Sequence, residues 1–202
     1  MTRNSYALIT GPTSEPITLD EAQAQARITG PDSDLLITSY IAVARQRAEQ
    51  VLAFGLFTQT WRYDLDEFDE IIPLPMARKL QSITHVKYYD VNGTLQTLPA
   101  TEYETDTIRM PACLVRAADI SWPSLQADRR VGKVQITYVV GWAAVADIPE
   151  IIKQGIRLYV GYLDADRDGM AARAEAAQLA AERCWLDRMY YLPTIGDRVL
   201  EN

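Results

Sequence analysis

The sequence predicts an α+β fold, a helical bundle of two N-terminal and two C-terminal helices carrying an antiparallel β insertion of about six strands. Three observations carry this expectation. Apolar residues recur at three- and four-residue spacing in the N-terminal part of the chain and again after Ile148. Between Thr58 and Gly141 the period falls to two, and β-branched and aromatic residues dominate. Helices and strands come in separate runs, which argues against a parallel sheet alternating with helices. The chain is therefore expected to divide into N-terminal helices (1–57), a β insertion (58–141), C-terminal helices (142–192) and an extended tail (193–202).

The elements follow in order. The first residues are polar and rich in turns, with Gly11-Pro12 and Glu15-Pro16, and no strand is expected there. Thr18-Leu19-Asp20-Glu21 is a capping box, with Thr18 as N-cap and Glu21 reaching back to it; the helix it opens should end near Ile28, before Gly30-Pro31. A second helix begins at Asp32-Ser33-Asp34. Its buried stripe is Ile37, Ile41, Ala44, Ala48 and Val51, and Gly55 stops it. From Thr58 the alternation of Trp61, Tyr63 and Leu65 with Thr60, Arg62 and Asp64 reads as a strand with one wet face. Pro73 and Pro75 confine any strand around Leu74 to a sheet edge. Ile83–Asp90 is a further strand, and Asn92-Gly93 turns it into a hairpin. Glu102–Asp106, Ile108–Met110 and Val131–Val140 complete the insertion. Pro149 suits the first turn of a helix whose apolar side is Ile151, Ile152, Ile156, Tyr159, Val160 and Leu163. A charged loop, Asp164–Gly169, should lead to an alanine-rich helix from Met170 to about Tyr191, stopped by Pro193.

Composition narrows the function. The chain has 202 residues, 48% hydrophobic and 23% charged, so a core of ordinary size is available and disorder is excluded. The longest uncharged apolar stretch, Tyr138–Ala146, falls far short of the roughly 20 residues of a membrane span, and no secretory signal is expected. With 27 acids against 20 bases the net charge is −7, the wrong sign for a protein that grips a phosphate backbone. Cys113 and Cys184 are far apart and read as free thiols.

No catalytic constellation emerges. His85 is the single histidine, near Ser82, but no nucleophile elbow or phosphate-cradling glycine loop accompanies it. No metal ligand and no cofactor is assigned. Asp64, Asp66, Glu67, Asp69 and Glu70 put five acids within seven residues. Such a run is either a solvated strand end or a surface whose charge matters. Asp164, Asp166, Asp168, Gly169 and Glu175 match the calcium-loop pattern, which leaves a calcium-responsive binding protein built on 164–175 as an alternative. Against it, Ala171 stands where such loops carry a branched apolar residue, and the chain has no second loop to pair with. Trp185, with Cys184, Leu186, Met189, Tyr190, Tyr191, Arg183 and Arg188, has the composition of an interface; core packing is the other reading of the same residues.

Taken together, the order and spacing of several segments resemble the head–tail connector (adaptor) family of tailed phages and phage-like gene transfer agents. The segments are Ile17-Thr18-Leu19-Asp20-Glu21-Ala22 and the helix that follows, Thr58-Gln59-Thr60-Trp61, Ile72-Pro73-Leu74-Pro75, Leu80-Gln81-Ser82-Ile83, Tyr88-Tyr89-Asp90 with Asn92-Gly93, Tyr103-Glu104-Thr105-Asp106, Trp122-Pro123, Val134–Gly141 and Ile148-Pro149-Glu150-Ile151-Ile152. Residues 17–163 are covered, and the C-terminal helix and tail depart from the family by being longer. The resemblance implies a virion structural protein, not an enzyme. Its subunits form a ring, usually of twelve, beneath the capsid portal in the neck of the particle, assembled in the bacterial cytoplasm. The expected partners are the portal, the next tail or stopper protein and further copies of the chain. No membrane is involved, and DNA passes through the channel without specific binding. The C-terminal segment of such proteins reaches the portal, which makes Trp185, Arg188, Tyr190, Tyr191, Leu192, Ile195, Val199 and Leu200 the portal-docking candidates. The acids Asp64, Asp66, Glu67, Asp69 and Glu70 become candidates for a channel or rim, where a negative wall repels phosphate.

Overall fold

The computed structural model describes residues 4–28, 30–129, 131–167 and 171–190. They form four helices and two antiparallel sheets in two compact units. One unit joins Ser14–Phe57 to the chain from Trp142 onward; the other joins the first thirteen residues to Thr58–Gly141.

The helical unit starts with α1, Leu19–Ala26. The Thr18 hydroxyl accepts from the Glu21 N–H at 3.2 Å, and the Glu21 carboxylate accepts from the Thr18 N–H at 2.7 Å, which completes the expected capping box. In α2, Asp34–Leu52, the buried stripe is Ile37, Ile41, Ala44, Ala48 and Leu52. Leu52 replaces the expected Val51, which is half-buried. Two charged residues share the buried side because they are paired: Arg45 meets Glu49 at 2.8 Å and Glu15 at 2.8 Å. In α3, Glu150–Arg167, the residues Ile152, Ile156, Tyr159 and Val160 are buried, whereas Ile151 is exposed. The fourth helix, α4, spans Ala171–Tyr190.

The contact between α3 and α4 rests on a glycine. Trp185 is fully buried and its indole N–H donates to the Ile152 carbonyl at 3.3 Å. A Cβ on Gly155 would lie 2.3 Å from the Trp185 indole nitrogen, so only glycine admits the ring this close to the helix axis.

Among the described residues the second unit holds eight strands: seven in the insertion, where about six are expected, and one before it. β1 is Ser5–Thr10, β2 Gln59–Leu65, β3 Ile71–Pro73, β4 Leu80–Tyr89, β5 Leu95–Leu98, β6 Tyr103–Asp106, β7 Cys113–Arg116 and β8 Val134–Val140. The larger sheet has the order β1-β2-β8-β4-β5 and the smaller β3-β7-β6. Where no strand was expected, β1 pairs antiparallel with β2, with Tyr6 opposite Tyr63 and Leu8 opposite Trp61. All six of its residues are exposed, so an edge strand without a buried face left no alternation to read. The expected strand Ile108–Met110 is a turn, because the Asp106 carboxylate accepts from the N–H groups of Ile108 (2.9 Å) and Arg109 (3.1 Å). The strand comes later, as β7. The Asn92-Gly93 hairpin is as expected, with Gly93 at φ 78° and the Asp90 carboxylate accepting from the N–H groups of Asn92 and Thr94.

In register, Leu65, Val134, Ile136, Tyr138, Val140, Val86 and Leu98 turn to one face of the larger sheet and share a core with Ile72 and Leu114 of the smaller one. Tyr138 donates its hydroxyl to the Pro75 carbonyl at 2.7 Å, and burial pushes its ionisation well above the usual tyrosine range. The opposite face is mostly polar, with Ser5, Thr60, Arg62, Asp64, Gln135, Thr137, His85, Lys87 and Thr97 set beside Ala7, Leu95 and Val139.

Two outcomes follow for the helical unit. Gly155→Ala gains up to about 1 kcal/mol in helix propensity but must displace Trp185, and overpacking costs about 1–3 kcal/mol. Urea unfolding should therefore show a net loss; a gain would mean that α3 and α4 separate freely. Acid should also weaken this unit. The Thr18 amide and then Arg157 hold the Glu21 carboxyl below its usual range, and Lys153 and then Arg157 do the same for Glu150. Carboxylates with depressed folded-state pKa values stabilise fully above the unfolded value of 4.5 and lose that contribution as pH falls through the folded one. Glu21→Gln should flatten the fall in melting temperature below pH 4.5; an unchanged slope would remove Glu21 from this account.

Candidate functional site

The five clustered acids do not form one surface. Asp64 lies on the polar face of β2 beside Arg62, with Arg62 Nε and Asp64 Oδ2 3.1 Å apart. Its Oδ1 is buried without a hydrogen-bond partner among the described residues, at a polar recess lined by Ser5, Arg62, Arg129 and Gln135. Asp66 accepts from the Gly132 N–H at 2.9 Å and so ties the end of β2 to the approach to β8. Only Glu67, Asp69 and Glu70 are displayed to solvent, on the connection from β2 to β3.

That connection is held by aromatic rings. Phe68, set among the acids, stacks on Trp122 at 4.5 Å and 9° and meets Tyr88 edge-on at 6.2 Å. The Trp122 indole N–H donates to the Asp69 carbonyl at 3.0 Å. The result is a fixed acidic turn.

Other exposed apolar residues mark surfaces that composition did not single out. Tyr6, Leu8 and Ile9 of β1 are 54%, 46% and 53% exposed. Ile108 is 88% exposed at the apex of the β6–β7 turn, where Arg109 pairs with Asp106 at 3.2 Å. It borders a groove with Ile71 and Val115. On α4, Leu179 and Leu186 are exposed on either side of Arg183. The signal for β1 was the apolar Tyr6-Ala7-Leu8-Ile9 run; for Ile108, an isoleucine beside a turn-forming Asp.

Of the portal-docking candidates, Trp185 lies in the core, where it packs against Gly155 and contacts Tyr159 at 5.7 Å between ring centroids. It therefore presents no surface in this chain. Arg188 and Tyr190 fall on the last turn of α4, where the backbone alone is described. Tyr191, Leu192, Ile195, Val199 and Leu200 lie outside the described residues.

The calcium-loop pattern meets a helix. α3 continues through Arg167, so the backbone at Asp164 and Asp166 is helical and not the loop that the calcium pattern needs. Asp168 and Gly169 lie outside the described residues, and Glu175 belongs to α4. Among the described residues, no three His, Cys, Asp or Glu side chains converge as ligands. His85 lies on the polar face of β4, opposite Thr137 and on the same face as Lys87. Burial and then Lys87 hold its pKa below the usual value, so the ring is neutral at pH 7.

No protein-family model matches the chain, and no curated protein does. Solved structures do. A chain described as the neck of an empty GTA particle computed with C6 symmetry superposes at a TM-score of 0.65 with 18% identity, over 78% of this chain and 82% of that one. A chain from the virion of a native gene transfer agent (GTA) particle gives 0.63 and 18%, over 77% and 81%. A chain from the neck of a native GTA particle computed with C12 symmetry gives 0.59 and 18%, over 97% and 98%. The chain thus has the fold of gene-transfer-agent neck chains.

Calcium should not stabilise this protein. A ligand at a hundred times its dissociation constant adds about 2.7 kcal/mol. Millimolar calcium is expected to leave the melting temperature unchanged; a rise of several degrees that Asp164→Ala abolishes would restore the calcium reading.

Proposed function

We propose that this chain is a head–tail connector (adaptor) subunit in the neck of a phage-like particle. Copies form a twelve-membered ring below the capsid portal, extend the DNA channel and offer a platform to the next tail or stopper protein. The role is structural, without catalysis, and the ring is assembled in the bacterial cytoplasm.

The observation that carries this reading is the likeness over 97% of this chain and 98% of a neck chain from a particle with C12 symmetry. A match over almost the full length of both partners includes the helical unit and the sheets alike. Charge agrees with it. A subunit of net charge −7 that displays Glu67, Asp69 and Glu70 on a fixed turn suits a channel rim that DNA passes without adhering. In this reading the end of α4 and the tail, from Arg188 through Tyr190, Tyr191, Leu192, Ile195, Val199 and Leu200, dock on the portal. The buried Trp185 anchors the helix that carries them. Large apolar and aromatic anchors offset the entropy lost when a chain end orders on contact.

Deleting residues 193–202 should leave the melting temperature nearly unchanged and abolish attachment to portal-bearing heads. A truncated protein that joins those heads at full occupancy would remove the tail as anchor. A full-length protein that never joins them would remove the connector reading itself.

A further inference from the structure

The larger sheet is open, and its two edges match. Among the described residues, β1 has β2 on one side and no strand on the other, and β5 has β4 on one side and no strand on the other. A strand edge presents unpaired N–H and C=O groups, and natural edges are usually guarded by charge, proline or a bulge. Ser5–Thr10 contains no Lys, Arg, Asp, Glu or Pro, and Leu95–Leu98 contains none either. The one irregularity in β1 is a shift of register between Leu8 and Thr10. It leaves Ser5–Leu8 straight, four residues that match the four of β5.

We propose that these edges join copies of the chain: Ser5–Leu8 of one copy pairs with Leu95–Leu98 of the next, so that the five-stranded sheets run on from subunit to subunit. This rests on the ring reading and names the contact that closes the ring. A cyclic ring needs two unlike patches on each subunit, one meeting the other on the neighbour. The two edges of an open sheet are such a pair, carried by one rigid element. Their direction fits too. Antiparallel pairing throughout the order β1-β2-β8-β4-β5 makes β1 and β5 run the same way. Rotation about a ring axis therefore brings them together as a parallel pair. The pleat fixes which faces meet. Tyr6 and Leu8 share the core-side face with Gln96 and Leu98, and Ser5 and Ala7 share the polar face with Leu95 and Thr97. Pairing covers Tyr6, Leu8 and Leu95, now 54%, 46% and 43% exposed. A four-residue strand pair buries far less than the roughly 1,200 Å² at which stable interfaces begin. The contact is accordingly weak between free copies and holds when the portal lines them up.

Crosslinking tests it directly. Within one chain, Ala7 and Thr97 stand at opposite edges of the sheet, four strand spacings or roughly 19 Å apart, beyond the about 7 Å that a disulfide tolerates. Any bond between them joins two copies. In full-length protein carrying Cys184→Ser, the four pairs that replace Ser5 or Ala7 together with Leu95 or Thr97 by cysteine are bound to portal-bearing heads, oxidised and run without reductant. At least one pair should give a ladder of multimers ending in a closed ring, while the single variants give monomer. Dimers from Ser5→Cys or Ala7→Cys alone would show β1 meeting β1 across a two-fold and overturn the proposal. Rings visible on the heads with no ladder from any pair would overturn this contact and leave the connector reading standing. No rings on the heads would overturn both. Ala7→Lys adds a charge to the free edge. It should abolish rings at an unchanged melting temperature; rings that persist would also overturn the proposal.

Discussion

The architecture depends on one buried carboxylate. The chain leaves the helical unit after Phe57 and returns at Trp142, and Glu49 fixes the point of departure. One of its oxygens accepts from the Leu56 N–H at 2.9 Å and the other from Arg45 at 2.8 Å, while Arg45 also meets Glu15. Leu56, held by its N–H, offers its carbonyl to the Trp142 N–H at 3.0 Å, and Phe57 and Trp142 form a bridge. Exit and return are thereby pinned to each other. In the sheet unit Gln81 does the corresponding work, donating to the Thr58 hydroxyl and to the Gly141 carbonyl, both at 2.8 Å. Burying a charge is costly unless every lone pair finds a donor. At Glu49 a backbone amide and a guanidinium are among the donors, so one residue can serve as the last buried turn of α2 and as the clamp of the excursion.

What the sequence made legible follows from where side chains meet water. α2 and α3 bury a stripe against neighbours, and burial writes a period of three and four into the sequence. β2, β4 and β8 bury one face and write a period of two. β1 buries neither face, so Ser5–Thr10 carries no alternation; its one local signal is the apolar run Tyr6-Ala7-Leu8-Ile9, and the pairing with β2 that makes it a strand is not a local property. Ile108 misled for a related reason. An apolar residue between polar ones looks like half a strand, but here the local competition is won by Asp106, whose carboxylate takes two backbone N–H groups and forces a turn.

The candidate sites divide in the same way. The calcium pattern was a true match of residue types on the wrong backbone. Alternate aspartates converge on a cation only in a loop, and α3 carries Asp164 and Asp166 past the point where that loop would begin. Trp185 had two readings of equal composition, and a glycine thirty residues earlier separates them: Gly155 leaves room for the indole, and the Ile152 carbonyl takes its N–H. A glycine inside a helix, with tryptophan on a later helix, is a signal of close packing that neither residue gives alone.

The acidic run shows how a protein concentrates like charge without being unfolded by it. Five carboxylates in seven residues repel one another, and the fold answers by giving two of them internal donors: Arg62 for Asp64, the Gly132 N–H for Asp66. The remaining three stay in water, where their mutual repulsion is screened. Repulsion alone would still splay the turn, and a salt-bridged turn would change shape with ionic strength. Stacking of Phe68 on Trp122 changes little with salt, because it buries apolar surface rather than neutralising charge. The turn therefore keeps one shape whether its charges are screened or not. That is the property required of any surface whose task is to repel a polyanion: its charge must stay where it is while the counterions around it are exchanged.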